Sequence, residues 1–124
     1  MTILERSTEI RGLGVGINLL PHAMRELTEL GLADGIAAIG VSPTSLTYGN
    51  RYGQTIWTEP RGLAAGYRWP QMSVHRGRLQ LALLDAVRER LGDIVHLGRT
   101  VAGIEDDATT PRVRMTDGEL GADL

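Results

Sequence analysis

Ser73-Val74-His75-Arg76-Gly77 runs into Arg78-Leu79-Gln80-Leu81-Ala82-Leu83-Leu84-Asp85-Ala86-Val87-Arg88-Glu89-Arg90-Leu91, and Gly92 follows. Leu79, Ala82, Leu83, Ala86, Val87 and Leu91 recur at helical spacing and form one apolar stripe. The pattern predicts a short strand end, a basic turn, and one long amphipathic helix that packs its stripe on a sheet. Arg88 and Arg90 lie in the last turn, where cations suit the negative end of the helix dipole. Gly92 supplies the left-handed stop. At the other end, Arg76 stands where unpaired backbone N–H groups and a positive dipole favour an anion. A guanidinium there can take a phosphate with two parallel hydrogen bonds.

Upstream, residues 1–6 read as a strand of apolar and β-branched residues ending in charge. The chain begins inside this strand, as a piece of something longer would. Gly12-Leu13-Gly14-Val15-Gly16 is not a dinucleotide fingerprint: polar residues separate it from the strand, and its third glycine comes one position early. It reads either as a flexible loop or as a bare backbone segment lying against a flat ligand. Pro21 suits the first turn of a helix whose stripe is Leu20, Ala23, Met24, Leu27 and Leu30, with Gly31 ending it. A second helical segment or turn over residues 32–39 buries Ile36 and Ile39. Residues 44–59 change to strand periodicity, and Gly49-Asn50-Arg51-Tyr52-Gly53 is the turn of a β-hairpin. Residues 60–70 form a loop carrying Arg61, Tyr67, Arg68 and Trp69, which either lines a pocket or faces solvent. Downstream of the long helix, residues 94–105 supply one or two strands and residues 111–115 pair back on them. Asp106 to Pro111 and Asp117-Gly118 are turns.

The chain has 124 residues, 42% hydrophobic and 23% charged, enough for one ordinary domain core. A net charge of −2 without a basic cluster argues against nucleic acid as a partner. No apolar run approaches the roughly 20 residues of a membrane span. With no secretory leader in the sequence either, the expectation is a cytoplasmic protein with no membrane partner. There is no cysteine and no lysine. That excludes disulfides, thiolate metal sites, Cys nucleophiles and Schiff-base chemistry. His22, His75 and His96 fall in different elements without metal-ligand spacing. No serine sits in a nucleophile elbow. Residues alone therefore describe an α+β chain with one anion site.

The order of several motifs adds a resemblance. Ile3-Leu4-Glu5-Arg6, Leu13-Gly14-Val15-Gly16-Ile17-Asn18-Leu19-Leu20-Pro21-His22-Ala23, Gln71-Met72-Ser73-Val74-His75-Arg76-Gly77 with Leu79-Gln80, and Gly121-Ala122-Asp123 resemble the FAD-dependent aromatic hydroxylases, closest in feel to the phenazine-modifying branch. The likeness covers nearly the whole chain. It implies a fold class written α+β (α/β): part of an FAD-binding Rossmann-like domain over residues 1–124, lacking its first strand and G-x-G-x-x-G turn. Residues 44–59 would be a hairpin of the substrate-side sheet. The later Gly-Asp motif would fall at or past Leu124, with Gly121-Ala122-Asp123 as its approach.

Residue by residue, the resemblance implies that Glu5 accepts hydrogen bonds from the adenosine ribose and Arg11 lies near the FAD phosphates. Gly14, Val15 and Gly16 would form the mobile loop beside the isoalloxazine. Arg76 would reach the ribityl or phosphate region, with Gln80 one turn further along. The implied activity is hydroxylation of a small aromatic substrate by FAD with NAD(P)H, through a flavin C4a-hydroperoxide. No protein group is assigned a catalytic role, because the chemistry is the cofactor's. The chain by itself is expected to be inactive, to hold FAD weakly, and to cover its open strand edge as a homo-oligomer. Two other classes stay open: a non-catalytic flavoprotein-like module, and an unrelated enzyme using Glu5, His75 or Arg76 as acid–base groups.

Overall fold

A computed structural model describes residues 1–105, 112–116 and 118–121, the last four by backbone alone. The turn expected at 106–111, Asp117 and the segment Ala122-Asp123 lie outside the described residues. The chain divides into two units, Gly12–Ala86 and Met1–Arg11 with Val87–Leu124.

The Gly12–Ala86 unit is built on a three-stranded antiparallel sheet. Strand β2 (Gly16–Leu19) pairs with β6 (Met72–His75), which pairs on its other side with the short β3 (Gly40–Val41). Along β6 the side chains alternate. Met72 and Val74 are buried, whereas Ser73 is half-buried and donates its hydroxyl to Asn18 Oδ1 across the pair at 2.6 Å. Helices α1 (Pro21–Glu29) and α2 (Ala33–Ile39) pack on this sheet. Leu19, Met24, Ile36, Met72, Val74 and Leu79 form the core, with Leu27, Ile39 and Trp69 against it. Burial of each such side chain contributes roughly 1.5–3 kcal/mol.

Pro21 occupies the first turn of α1, where its missing N–H is not needed. The far end closes with Gly31 N–H donating to Thr28 O at 2.8 Å and Leu32 N–H to Leu27 O at 2.8 Å, which satisfies two terminal carbonyls. The expected α1 stripe is only partly buried. Pro21 and Met24 are covered, but Leu20 and Leu30 are 41% and 56% exposed because they lie at and beyond the helix ends.

Strands β4 (Ser45–Gly49) and β5 (Thr55–Pro60) form the expected hairpin, displaced one residue from the 44–59 reading. Tyr48 stacks on Trp57 with ring centroids 5.9 Å apart, a cross-strand pair of the kind that fixes register. The turn is organised by Asn50, whose Oδ1 accepts from Tyr52 N–H at 2.9 Å and Gln54 N–H at 3.1 Å. Residues 60–70 are not wholly loop: Pro60 ends β5, and Gly62–Ala65 form a 3-10 turn.

The decisive helix α3 spans Arg76–Leu91 and starts two residues earlier than its periodicity indicates. There is no basic turn: β6 passes directly into α3, and Arg76 is the first helical residue. Leu79 is buried, yet Leu83 and Leu91 are 36% and 53% exposed, so the stripe is covered only near its start.

In the other unit, β1 (Ile3–Glu5) pairs in parallel with β7 (Val95–Leu97), the one parallel pairing among the described residues. Strand β8 (Val101–Glu105), β9 (Arg112–Met115) and β10 (Gly118–Gly121) make an antiparallel sheet in the order β10-β9-β8. The pairing of residues 112–115 back on 101–105 is as their alternation indicates. No described helix is long and apolar enough to cross a membrane.

Candidate functional site

Gly14, Val15, Gly16, Arg76 and Gln80 come together in the Gly12–Ala86 unit. Gly16 is the first residue of β2 rather than part of the loop, and it faces His75 across the β2–β6 pair. The backbone just before it is tied to α3 by the Arg76 N–H, which donates to Val15 O at 2.9 Å. Gly14 has φ +133°, and a Cβ there would stand 2.7 Å from Arg76 Nε, so the guanidinium stem lies along bare backbone. One turn on, Gln80 lies on the same helix face as Arg76. The two line a hollow of about 450 Å³ with Leu79 and Leu83. Leu13 and Val15 beside it are 65% and 76% exposed, an apolar edge next to a cation.

The start of α3 carries two devices that its sequence does not advertise. Gly77 N–H donates to His75 Nδ1 at 3.1 Å, so His75 caps the helix and must be neutral with its proton on Nε2 while it does so. Gly77 is buried, and a Cβ on it would fall 2.1 Å from the Gly12 carbonyl carbon and oxygen. The glycine read as turn punctuation is instead where backbone meets backbone. The residue pattern offered His75 as one of three scattered histidines and as an acid–base candidate of an unrelated enzyme, and its capping role depends on where the helix starts.

Glu5 and Arg11 belong to the other unit. Glu5 ends β1 and its Oε1 accepts from Ser7 N–H at 2.7 Å. That backbone hydrogen bond, with the neighbouring Ser7 side chain and Arg6 charge, holds the Glu5 carboxyl below its ordinary value. Arg11 is exposed and paired with Glu9.

A second concavity lies in the Gly12–Ala86 unit. It has a volume of about 600 Å³ and is walled by the first turn of α1, the end of β5 and the segment after it. Arg61, Tyr67, Arg68 and Trp69 line it, so the aromatic-and-arginine segment does face a pocket. Gln71 continues the same stretch of chain, whereas His22 joins from α1 only through the tertiary fold. Among the described residues no group of acidic, histidine or cysteine side chains could hold a metal ion.

No family model matches the sequence. Individual proteins do. The chain is 52% identical over 114 residues to phenazine 1,6-dicarboxylic acid hydroxylase PhzS of Lysobacter antibioticus, covering 91% of this chain and 28% of that protein. It is 32% identical over 126 aligned positions to 3-amino-4-hydroxybenzoate 2-monooxygenase of Streptomyces cremeus, covering 98% of this chain and 31% of that one. The crystal structure of an HpxO variant from Klebsiella pneumoniae complexed with FAD superposes with a TM-score of 0.75 at 26% identity, over 98% of this chain and 31% of HpxO. The chain is similar in sequence and fold to FAD-dependent aromatic hydroxylases. It spans about 30% of the length of these hydroxylases. The mixed helix and strand architecture agrees with theirs.

Proposed function

We propose that the chain is a flavin-holding part of a monooxygenase that hydroxylates a small aromatic substrate, with FAD as cofactor and NAD(P)H as reductant. One observation carries this reading: Arg76 and Gln80 share a helix face beside an apolar loop edge, with the Arg76 stem along Gly14. A dinucleotide bearing a flat ring needs that combination of cation, polar amide and side-chain-free backbone. The donor set fits FAD, in that a guanidinium takes phosphate or ribityl oxygens and small residues admit the ring edge. Glu5 fits the ribose role, since with Oε1 on Ser7 its second oxygen can accept from hydroxyl groups. Arg11 is proposed near the phosphates after exchange of its exposed Glu9 partner.

Bound flavin supplies the oxygen-transfer chemistry. The chain's own residues bind and orient. Arg76 fixes an anionic portion, Gln80 adds a polar contact one turn away, and residues 14–16 leave room for the ring. Residues 1–124 are read as one partial FAD-binding domain, with the hairpin on the substrate side and a cytoplasmic location. The 124-residue chain by itself is proposed to hold FAD weakly and to lose it on gel filtration. Exposed Ile56, Trp57 and Tyr48 on the hairpin favour a homo-oligomer, which light scattering over a dilution series would reveal and a monomer at all concentrations would exclude.

The test is FAD titration followed by flavin fluorescence. Arg76→Ala removes a charge-assisted contact of about 1.5–3 kcal/mol, tenfold or more in affinity. Arg76→Lys should restore only part of it, because lysine lacks the planar fork. Unchanged FAD affinity in Arg76→Ala would refute the assignment.

A further inference from the structure

The start of α3 is held by contacts of three kinds at residues 76 and 77. The Arg76 N–H donates to Val15 O at 2.9 Å, the Gly77 backbone lies against that of Gly12, and the Gly77 N–H donates to His75 Nδ1 at 3.1 Å. Only the last can be switched by a proton. An imidazolium carries hydrogen on both nitrogens, so a protonated His75 turns a donor toward Gly77 in place of an acceptor. The freed N–H lies in the first helical turn, where no carbonyl of the helix can take it, and Gly77 is buried away from water. A buried donor left unmet is unfavourable, so uncapping loosens the turn that carries Arg76.

The surroundings do not offset a positive charge on the ring. His75 is exposed, so solvent protons reach it. The first turn of α3 has no acidic residue and carries Arg76 and Arg78. Strands β2 and β3, on either side of β6, have no titratable side chain, and neither do residues 12–15. Helix α2 packs on the other face of β6, the face of Met72 and Val74, so its Asp34 belongs to the opposite side of the sheet from His75. The positive end of the helix dipole adds to the two arginines.

We propose that His75 is the positioning residue of Arg76, and that FAD binds at full affinity only while the His75 imidazole is neutral. The inference rests on the assignment of Arg76 to the flavin. Above the histidine range the cap is made, and Arg76 and Gln80 are held at their hollow. As pH falls through that range the binding-competent fraction falls, and apparent affinity falls with it. By reciprocity, bound FAD makes His75 harder to protonate. A direct ion pair between His75 and an FAD phosphate would give the opposite sign.

The experiment is FAD titration of the 124-residue chain by flavin fluorescence between about pH 8 and about pH 5, the interval in which histidine changes charge. His75→Asn, His75→Ala and Arg76→Ala accompany the wild type. Asparagine accepts at a helix start without titrating, and alanine does neither. Wild-type affinity should fall about fivefold across the interval, His75→Asn should keep the high-pH affinity throughout, and His75→Ala should stay about fivefold weaker throughout. In the free chain the Gly77 amide NMR signal should move with the same midpoint as the His75 ring signals, and FAD should carry both to lower pH. If His75→Ala loses the near-UV circular dichroism of the wild type, the wild type and His75→Asn decide. A flat wild-type profile, affinity that rises as pH falls, an unchanged pH dependence in His75→Asn, or a Gly77 signal indifferent to His75 would overturn the positioning role and leave Arg76 with the flavin. Unchanged FAD affinity in Arg76→Ala at the upper pH, or no FAD binding at all, would overturn the flavin reading and this inference with it.

Discussion

Replacing Gly77 by alanine should destabilise the protein, although alanine is the better helix former. In an unobstructed helical position the exchange stabilises by about 1 kcal/mol. At Gly77 the new Cβ would stand 2.1 Å from the Gly12 carbonyl carbon and oxygen and 2.7 Å from its Cα. Ordinary contact begins near 3.4 Å, so one backbone must retreat from the other by roughly 1 Å or more. Neither is the flexible end of a side chain. Overpacking of this kind costs about 1–3 kcal/mol, and the rigid partner places it at the upper end. Set against the gain in helix propensity, the net loss is about 2 kcal/mol. The retreat also stretches the Arg76 N–H to Val15 O bond, one residue beyond Gly14. Gly35 in α2 is the internal control, because a Cβ there meets nothing within 4 Å. Gly35→Ala should stabilise by about 0.5–1 kcal/mol. Urea unfolding of both variants decides: at a slope of about 1–3 kcal/mol per molar urea, Gly77→Ala should lower the midpoint by about 1 M and Gly35→Ala should raise it. A Gly77→Ala midpoint at or above wild type would refute the close approach of the residue 12 backbone to α3.

Asn50→Ala removes the acceptor of two turn N–H groups and should loosen the hairpin by about 1 kcal/mol; a weaker near-UV circular dichroism signal from the Tyr48–Trp57 stack would report it, and an unchanged signal and midpoint would count against the Asn50-organised turn. Glu5 has its native pKa lowered by the Ser7 N–H, so its contribution is present above the ordinary glutamate range and is lost as pH falls through the lowered native value. Carboxyl NMR should show Glu5 titrating below other exposed glutamates, and Ser7→Pro, which deletes the donor, should return it to the ordinary range; no difference between the two proteins would exclude that cause.

What could be read from the residues was whatever repeats locally. The stripe from Leu79 to Leu91 marks α3, Pro21 marks the start of α1, and the glycines around Asn50 mark the hairpin. The pairing of Ile3 with Val95 spans most of the chain and has no local signature beyond two apolar runs. The start of α3 was misplaced because Gly77 resembles a turn residue, and its reason for being glycine is Gly12, far away in sequence. Arg76, Gln80 and residues 14–16, which fall together in the Gly12–Ala86 unit, were singled out as a group by the order and spacing of motifs, and their assignment to flavin is the proposal made above. The second cavity was half legible: Arg61, Tyr67, Arg68, Trp69 and Gln71 lie in one stretch of chain, but His22 and Arg25 enter from α1, which only folding brings there.

The direct passage of β6 into α3 makes residue 76 an indexed position. The sheet register sets where His75 stops, and the helix phase is counted from there with no slack between them. One inserted residue at that junction would rotate every later side chain of α3 by about 100° and advance it about 1.5 Å. Arg76 and Gln80 would swing off the hollow together, and Gly77 would no longer meet Gly12. At the turn of residues 50–54 an added residue displaces only solvent. Length variation among related chains should therefore accumulate at the hairpin tip and vanish between positions 75 and 76, which makes the spacing from His75 to Gln80 a ruler for aligning remote relatives.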